Sequence, residues 1–200
     1  MEYFFEQGEV EGKYLLLLHG TGGDEHSLVD VAKILAEDPT ILAFRGDVKD
    51  NGLNRFFCRN EMNQFDIPSL EEQTDNLLSE ITFHSEKKGI PVEDWILVGY
   101  SNGANIAAHL LLERKTPVKA AILFHPMFLG VATQDYSLVD KKIWLSYGYK
   151  DPIVTEDSLD QLEDKFRERQ ADVTKAVFET GHQVTIEELV EAKNWLEQTL

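Results

Sequence analysis

Three side chains in this 200-residue chain could together make a nucleophile: Ser101, Asp151 and His182. Ser101 is the centre of Gly99-Tyr100-Ser101-Asn102-Gly103, a G-x-S-x-G match placed between an apolar run and a pattern of small helical residues. A strand that turns sharply into a helix brings two backbones together, and glycines at the outer positions avoid a Cβ clash. The serine hydroxyl is then held at a helix N-terminus, where free N–H groups favour developing negative charge. A serine hydroxyl is a poor nucleophile at neutral pH, so it needs a base that is itself oriented by a carboxylate. Asp151 follows the apolar run 143–147 within Gly-Tyr-Lys-Asp-Pro, and His182 follows 176–178 within Glu-Thr-Gly-His. The chain order serine, acid, histidine, each just past an apolar run, is one that a serine on a strand-to-helix turn can use.

A tetrahedral oxyanion needs two N–H donors. The backbone of Asn102, next after the serine, supplies one. The loop His19-Gly20-Thr21-Gly22-Gly23 supplies the other, from Thr21 in first place or Gly22 in second. This loop has neither the third glycine of G-x-G-x-x-G nor the Lys-Ser/Thr of a P-loop, which argues against nucleotide binding. Four further histidines carry weaker signals. His26, His84 and His109 fall in or beside predicted helices, and His125-Pro126 reads as a structural turn. No metal-site spacing is present and Cys58 has no partner thiol, so neither a metal nor a cofactor is expected. Phe56, Phe57, Met127 and Phe128 are expected to wall an apolar substrate pocket.

These groups must be positioned by the short apolar runs 14–18, 40–44, 95–98, 120–124, 143–147 and 176–178. Each is mostly continuous and ends at a turn, the pattern of strands buried on both faces of a parallel sheet. Helices are expected between them. Ser27 with Asp30 opens one that ends near Ala36, and Ser69 with Glu72 opens a long one that Gly89 ends. Others cover 102–113, 157–169 and 185–199, the last with Glu188 three residues after Thr185. Residues 3–5 are expected to form an edge strand hairpinned onto 14–18. The segment 45–68 is the longest without an assignment, which suits a functional loop. No repeat, low-complexity tract or linker interrupts the chain, so one α/β domain is expected over residues 1–200, without a separate lid. In such sheets functional groups gather beyond the carboxyl ends of the strands.

The formal net charge is −17 and the hydrophobic content 42%. A surface this acidic repels phosphate backbones and anionic lipid, which argues against nucleic acid and membranes as partners. The acidic start MEYFFEQGEVEG lacks the features of a signal peptide, no apolar run approaches a bilayer span, and the lone cysteine fits a reducing compartment. A cytoplasmic protein acting on a small molecule is expected.

The segments LHGTGGDE, the RG and RFF of 45–57, GYSNGANIA and GHQVT together resemble the phospholipase/carboxylesterase family, and within it small bacterial carboxylesterases related to acyl-protein thioesterases and dienelactone hydrolases. The resemblance covers essentially the whole chain. It implies a lidless α/β-hydrolase cleaving carboxylic esters without a cofactor, as a monomer or homodimer. By motif it assigns Ser101 as nucleophile, Asp151 as acid, His182 as base, and Thr21 and Asn102 as oxyanion donors. Asn102 stands where many thioesterase relatives carry glutamine, and Ser101 where dienelactone hydrolases generally carry cysteine. The reading is therefore a serine carboxylesterase for short-chain esters. Thioester or lysophospholipid hydrolysis with the same residues is the alternative, and a non-catalytic binding module the more distant one.

Overall fold

The structure, a computed structural model, describes every residue except Glu61, Asn63 and Leu200. Seven strands form one sheet: β1 (Tyr3–Glu6), β2 (Tyr14–Leu18), β3 (Thr40–Phe44), β6 (Trp95–Tyr100), β7 (Ala120–Phe124), β8 (Lys142–Gly148) and β9 (Asp172–Phe178). Their spatial order is β1-β3-β2-β6-β7-β8-β9, and all pairings are parallel except β1 with β3. Helices α1 (Val29–Leu35), α2 (Ile67–Lys88), α3 (Asn102–Glu113), α4 (Glu156–Glu168) and α5 (Ile186–Thr199) cover its two faces. This is the α/β-hydrolase arrangement.

The continuous apolar runs are explained by that double cover. Strand side chains alternate between faces, so Leu16, Leu18, Leu42 and Leu97 pack with α2, α3 and α4. Leu15, Leu17, Ile41 and Ile96 pack on the other face with α1 and α5. A strand with a core on each side has no polar face to show in its sequence. The β7–β8 connection, residues 125–141, contains no helix and departs from the regular alternation.

Several local expectations change. The N-terminal strand pairs with β3, Tyr3 opposite Phe44, and not with β2. Both edges of β2 are already occupied, by β3 and by β6, so the chain must pass over to the free edge of β3. Helix α1 starts at Val29 without a side-chain cap, because the Ser27 hydroxyl bonds within the loop to Asp24. Helix α2 starts at Ile67, two residues before the expected opening residue Ser69: Asp66 is the cap, its carboxylate accepting from Ser69 N, and Pro68 fits the first turn. Gly89 ends α2 in the left-handed conformation expected of it. The segment 45–68 also contains a hairpin, β4 (Val48–Asp50) with β5 (Leu53–Arg55), around Asn51-Gly52 with both φ positive.

Candidate active site

The parallel strands deliver their next residues to one edge. Ser101 follows β6, His125 follows β7, Asp151 lies three residues past β8, and His182 lies four past β9. With strands spaced about 4.8 Å apart, β9 lies roughly 14 Å from β6. The loop after β9 must therefore fold back over the sheet for His182 to reach Ser101. A hydrogen bond from the Tyr100 hydroxyl to the His182 carbonyl oxygen ties that loop down.

Ser101 adopts φ 50 and ψ −112, a conformation that costs on the order of 1–3 kcal/mol for a side-chain-bearing residue. The flanking glycines permit it. A Cβ on Gly103 would stand 2.0 Å from the Leu18 carbonyl oxygen, and one on Gly99 would stand 2.7 Å from Ala104 Cα. Ser101 N donates to Phe124 O at 2.9 Å, fixing the turn from below. Ser101 Oγ then lies 2.8 Å from His182 Nε2, and His182 Nδ1 lies 2.7 Å from Asp151 Oδ2. The structure thus brings Ser101, His182 and Asp151 into one hydrogen-bonded chain.

Asp151 is held from four directions. Its Oδ1 accepts from Ile153 N and Val154 N at 2.8 and 3.0 Å, while Oδ2 faces both His182 Nδ1 and His125 Nδ1, the latter at 2.9 Å. Burial alone would raise its pKa, but these donors outweigh burial and hold the carboxyl below its ordinary range. His125, fully buried, also places Nε2 3.0 Å from Glu188 Oε1, an ion-pair contact bent away from hydrogen-bond alignment. Burial pushes the His125 imidazole down, yet Glu188 and Asp151 together raise it above the usual histidine value. Glu188 is likewise held low by His125 and by its helix cap against the effect of burial.

Neither His125 nor Glu188 figures in the sequence-based site. His125 does carry the relevant signal, a polar residue directly after a strand, but its position before any candidate acid hides it. Glu188 does form the capping box, its Oε2 accepting from Thr185 N and its own N–H donating to Thr185 Oγ1. Its other carboxylate oxygen is what reaches the site. Among the described residues, the group able to share a metal ion is His125, Asp151 and His182. Both Nδ1 atoms there already face Asp151, so hydrogen bonding takes up those positions.

The loop after β2 supplies backbone donors. Gly22 N is engaged by Asn54 O of the hairpin at 2.8 Å, whereas Thr21 N has no acceptor among the described residues. That favours Thr21 over Gly22. Asn102 N opens α3 and has no acceptor within the helix. His19 braces this loop: Nδ1 lies 2.6 Å from Gly20 O, and Nε2 accepts from Gly46 N at 3.0 Å. Those partners require a neutral ring with its proton on Nδ1, and burial keeps its pKa low in keeping with that. The Asn102 side chain accepts from Phe56 N at 2.7 Å, joining the hairpin to the serine turn.

Two residues of the expected pocket wall, Phe56 and Phe57, are withdrawn into the core. Phe56 and Phe57 have 0% exposure and pack in the core under α2 and α3. Their hydrophobicity is used for folding and leaves no surface for a ligand. Met127 and Phe128 are half-buried and help to line a void of about 10 Å³, room for a single water at most. The cavity beside the site is instead lined by Gly20, Thr21, Leu28, Val31, Tyr100 and Val184, among others, with a volume of about 320 Å³. A second cavity of about 340 Å³, with Tyr14, Trp95 and Lys119 in its lining, lies at the opposite, N-terminal ends of the strands and is remote from Ser101.

Comparison with known proteins places this geometry in context. Residues 54–188 match the dienelactone hydrolase family. The chain is 35% identical over 202 residues to MhqD of Bacillus subtilis (strain 168), covering 100% of both chains. Among solved structures it is 38% identical to YahD in complex with malic acid, with a TM-score of 0.95, covering 100% of this chain and 99% of that one. It is 34% identical to a Bacillus cereus carboxylesterase, with a TM-score of 0.96, covering 100% and 95%.

Proposed function

Because the chain belongs to the dienelactone hydrolase family, and so is a hydrolase, we propose that it is a serine esterase acting on short-chain carboxylic esters. The observation that carries this reading is the hydrogen-bonded chain Ser101–His182–Asp151 with the serine on a strained turn. His182 Nε2 removes the Ser101 proton as Oγ attacks the ester carbonyl. Asp151 holds the proton on Nδ1 and stabilises the imidazolium that forms. The carbonyl oxygen becomes an oxyanion, received by the N–H groups of Thr21 and Asn102. As the C–O bond to the alcohol breaks, His182 returns its proton to the leaving oxygen. A water activated by the same histidine then hydrolyses the acyl-enzyme.

The cavity of about 320 Å³, with Leu28, Val31 and Val184 in its wall, supports a small apolar group on the substrate. Each buried methylene contributes about 0.8 kcal/mol only while it touches protein. Preference should therefore rise over the first few carbons and level off, with roughly two to six acyl carbons favoured. A panel of aryl esters tests this. Wild type should show a kinetic burst with short acyl groups, and Ser101→Ala should show none. Steady gains up to palmitoyl length would displace the short-chain reading.

A further inference from the structure

The acid of the site carries more than orienting His182 requires. One acceptor oxygen would hold that imidazole, yet Asp151 Oδ2 also faces His125 Nδ1 at 2.9 Å. His125 turns its other nitrogen to Glu188 Oε1 at 3.0 Å. The side chains of His125, Asp151 and Glu188 are all 0% exposed, so water does not mediate these contacts. A neutral imidazole has a single N–H, and with that proton on Nδ1 it would leave a bare nitrogen 3.0 Å from a buried carboxylate oxygen. Two carboxylates around a doubly protonated ring instead leave a net single negative charge, the same as an isolated acid. The backbone at His125 is also held at φ 50, with its N–H bonded to Ser146 O at 3.0 Å. A side chain other than glycine is uncommon there, so the fold accepts strain to present this ring.

We propose that His125 is a positively charged positioning residue, clamped between Asp151 and Glu188, that locks the acid in place and offsets its charge beside the Ser101–His182 pair. This rests on the reading of Ser101, His182 and Asp151 as the catalytic set. The titratable groups facing His125 are Asp151 from the loop after β8, Glu188 from α5, His182 from the loop after β9, and Tyr100 from β6. The His125 and His182 ring centres are 5.3 Å apart, close enough for charge on one to be felt at the other.

The test is the pH profile of kcat/KM for a short-chain aryl ester in wild type, His125→Asn and His125→Asn/Glu188→Gln. Asparagine tolerates the left-handed backbone and offers an N–H to Asp151, but carries no charge. In His125→Asn the acid limb of the profile should move to higher pH by about one unit or more, because a positive charge beside the site is gone. In the double variant, which also removes the second carboxylate, it should return toward wild type. A purely structural role would lower the rate at every pH and leave the limb in place. A folded His125→Asn protein that reacts with a fluorophosphonate but whose limb is unmoved or lowered overturns the proposal. Wild-type protein supplies an independent reading if the variants do not fold. Assigned ring-nitrogen NMR signals of His125 should show both nitrogens protonated at the pH where the acid limb has levelled off, and a bare nitrogen there overturns the proposal. Failure of wild type to react with the fluorophosphonate would instead remove the esterase reading, and the NMR result would still decide the state of His125.

Discussion

At the scale of single residues, charge and burial decide what each side chain does. Asp151 and Glu188 have depressed pKa values in the folded chain, so their stabilisation is present above their unfolded values of about 4 and lost as pH falls through the lower folded ones. His125 is raised, so its contribution is complete below about 6.5 and lost as pH rises through its folded value. The cluster is thus most stabilising between roughly pH 4.5 and 6.5. The difference in Tm between wild type and His125→Asn should be greatest there and shrink toward pH 9; a difference that grows with pH would contradict these signs. Phe57 illustrates burial. Its ring has 0% exposure, so Phe57→Ala should cost about 3–5 kcal/mol of stability in denaturant melts and leave the order of preference among ester chain lengths unchanged.

At the scale of elements, the strand-to-helix turn depends on close backbone approach. Gly103→Ala would press a Cβ to 2.0 Å from the Leu18 carbonyl oxygen, and backbone cannot yield as a flexible side chain can. The variant should lose about 1–3 kcal/mol or more of stability and most of its hydrolase activity. A variant with wild-type melting and rate would mean that the turn is not built as described. This turn was legible because its constraint is local, set by a few adjacent residues. The same holds for the start of α3, the Gly89 end of α2 and the Thr185–Glu188 capping box. The edge pairing of β1 was not legible, because it depends on which strand edges other segments have already taken. The start of α2 was misplaced because Ser69 resembles a cap, while Asp66 fills that role with Ile67-Pro68 behind it. The Asn51-Gly52 hairpin did carry a sequence signal, but its strands are only three residues each. Likewise, Ser101, Asp151 and His182 follow from strand ends and chain order. The convergence of His125 and Glu188 needs the three-dimensional path of α5.

At the scale of the whole molecule, strand polarity sorts two cavities of similar size. The one beside Ser101 lies at the carboxyl ends of the strands and takes its apolar wall from Leu28, Val31 and Val184. The other lies at their amino ends, away from the serine turn. Among the described residues no helix is long and apolar enough to cross a membrane. Val31→Phe should fill part of the site cavity and shift the preferred aryl ester to a shorter acyl or smaller alcohol group, read as a change in the ratio of kcat/KM values across the panel. An unchanged ratio would place the substrate elsewhere. The central claim, that this hydrolase works through covalent catalysis at Ser101, is tested most directly by mass spectrometry of the intact protein after reaction with a fluorophosphonate, followed by peptide mapping. Addition of one phosphonyl group, located on the peptide containing Gly99-Tyr100-Ser101-Asn102-Gly103 and absent in Ser101→Ala, is the predicted result. A wild-type protein of unchanged mass, or an adduct that persists in Ser101→Ala, would contradict it.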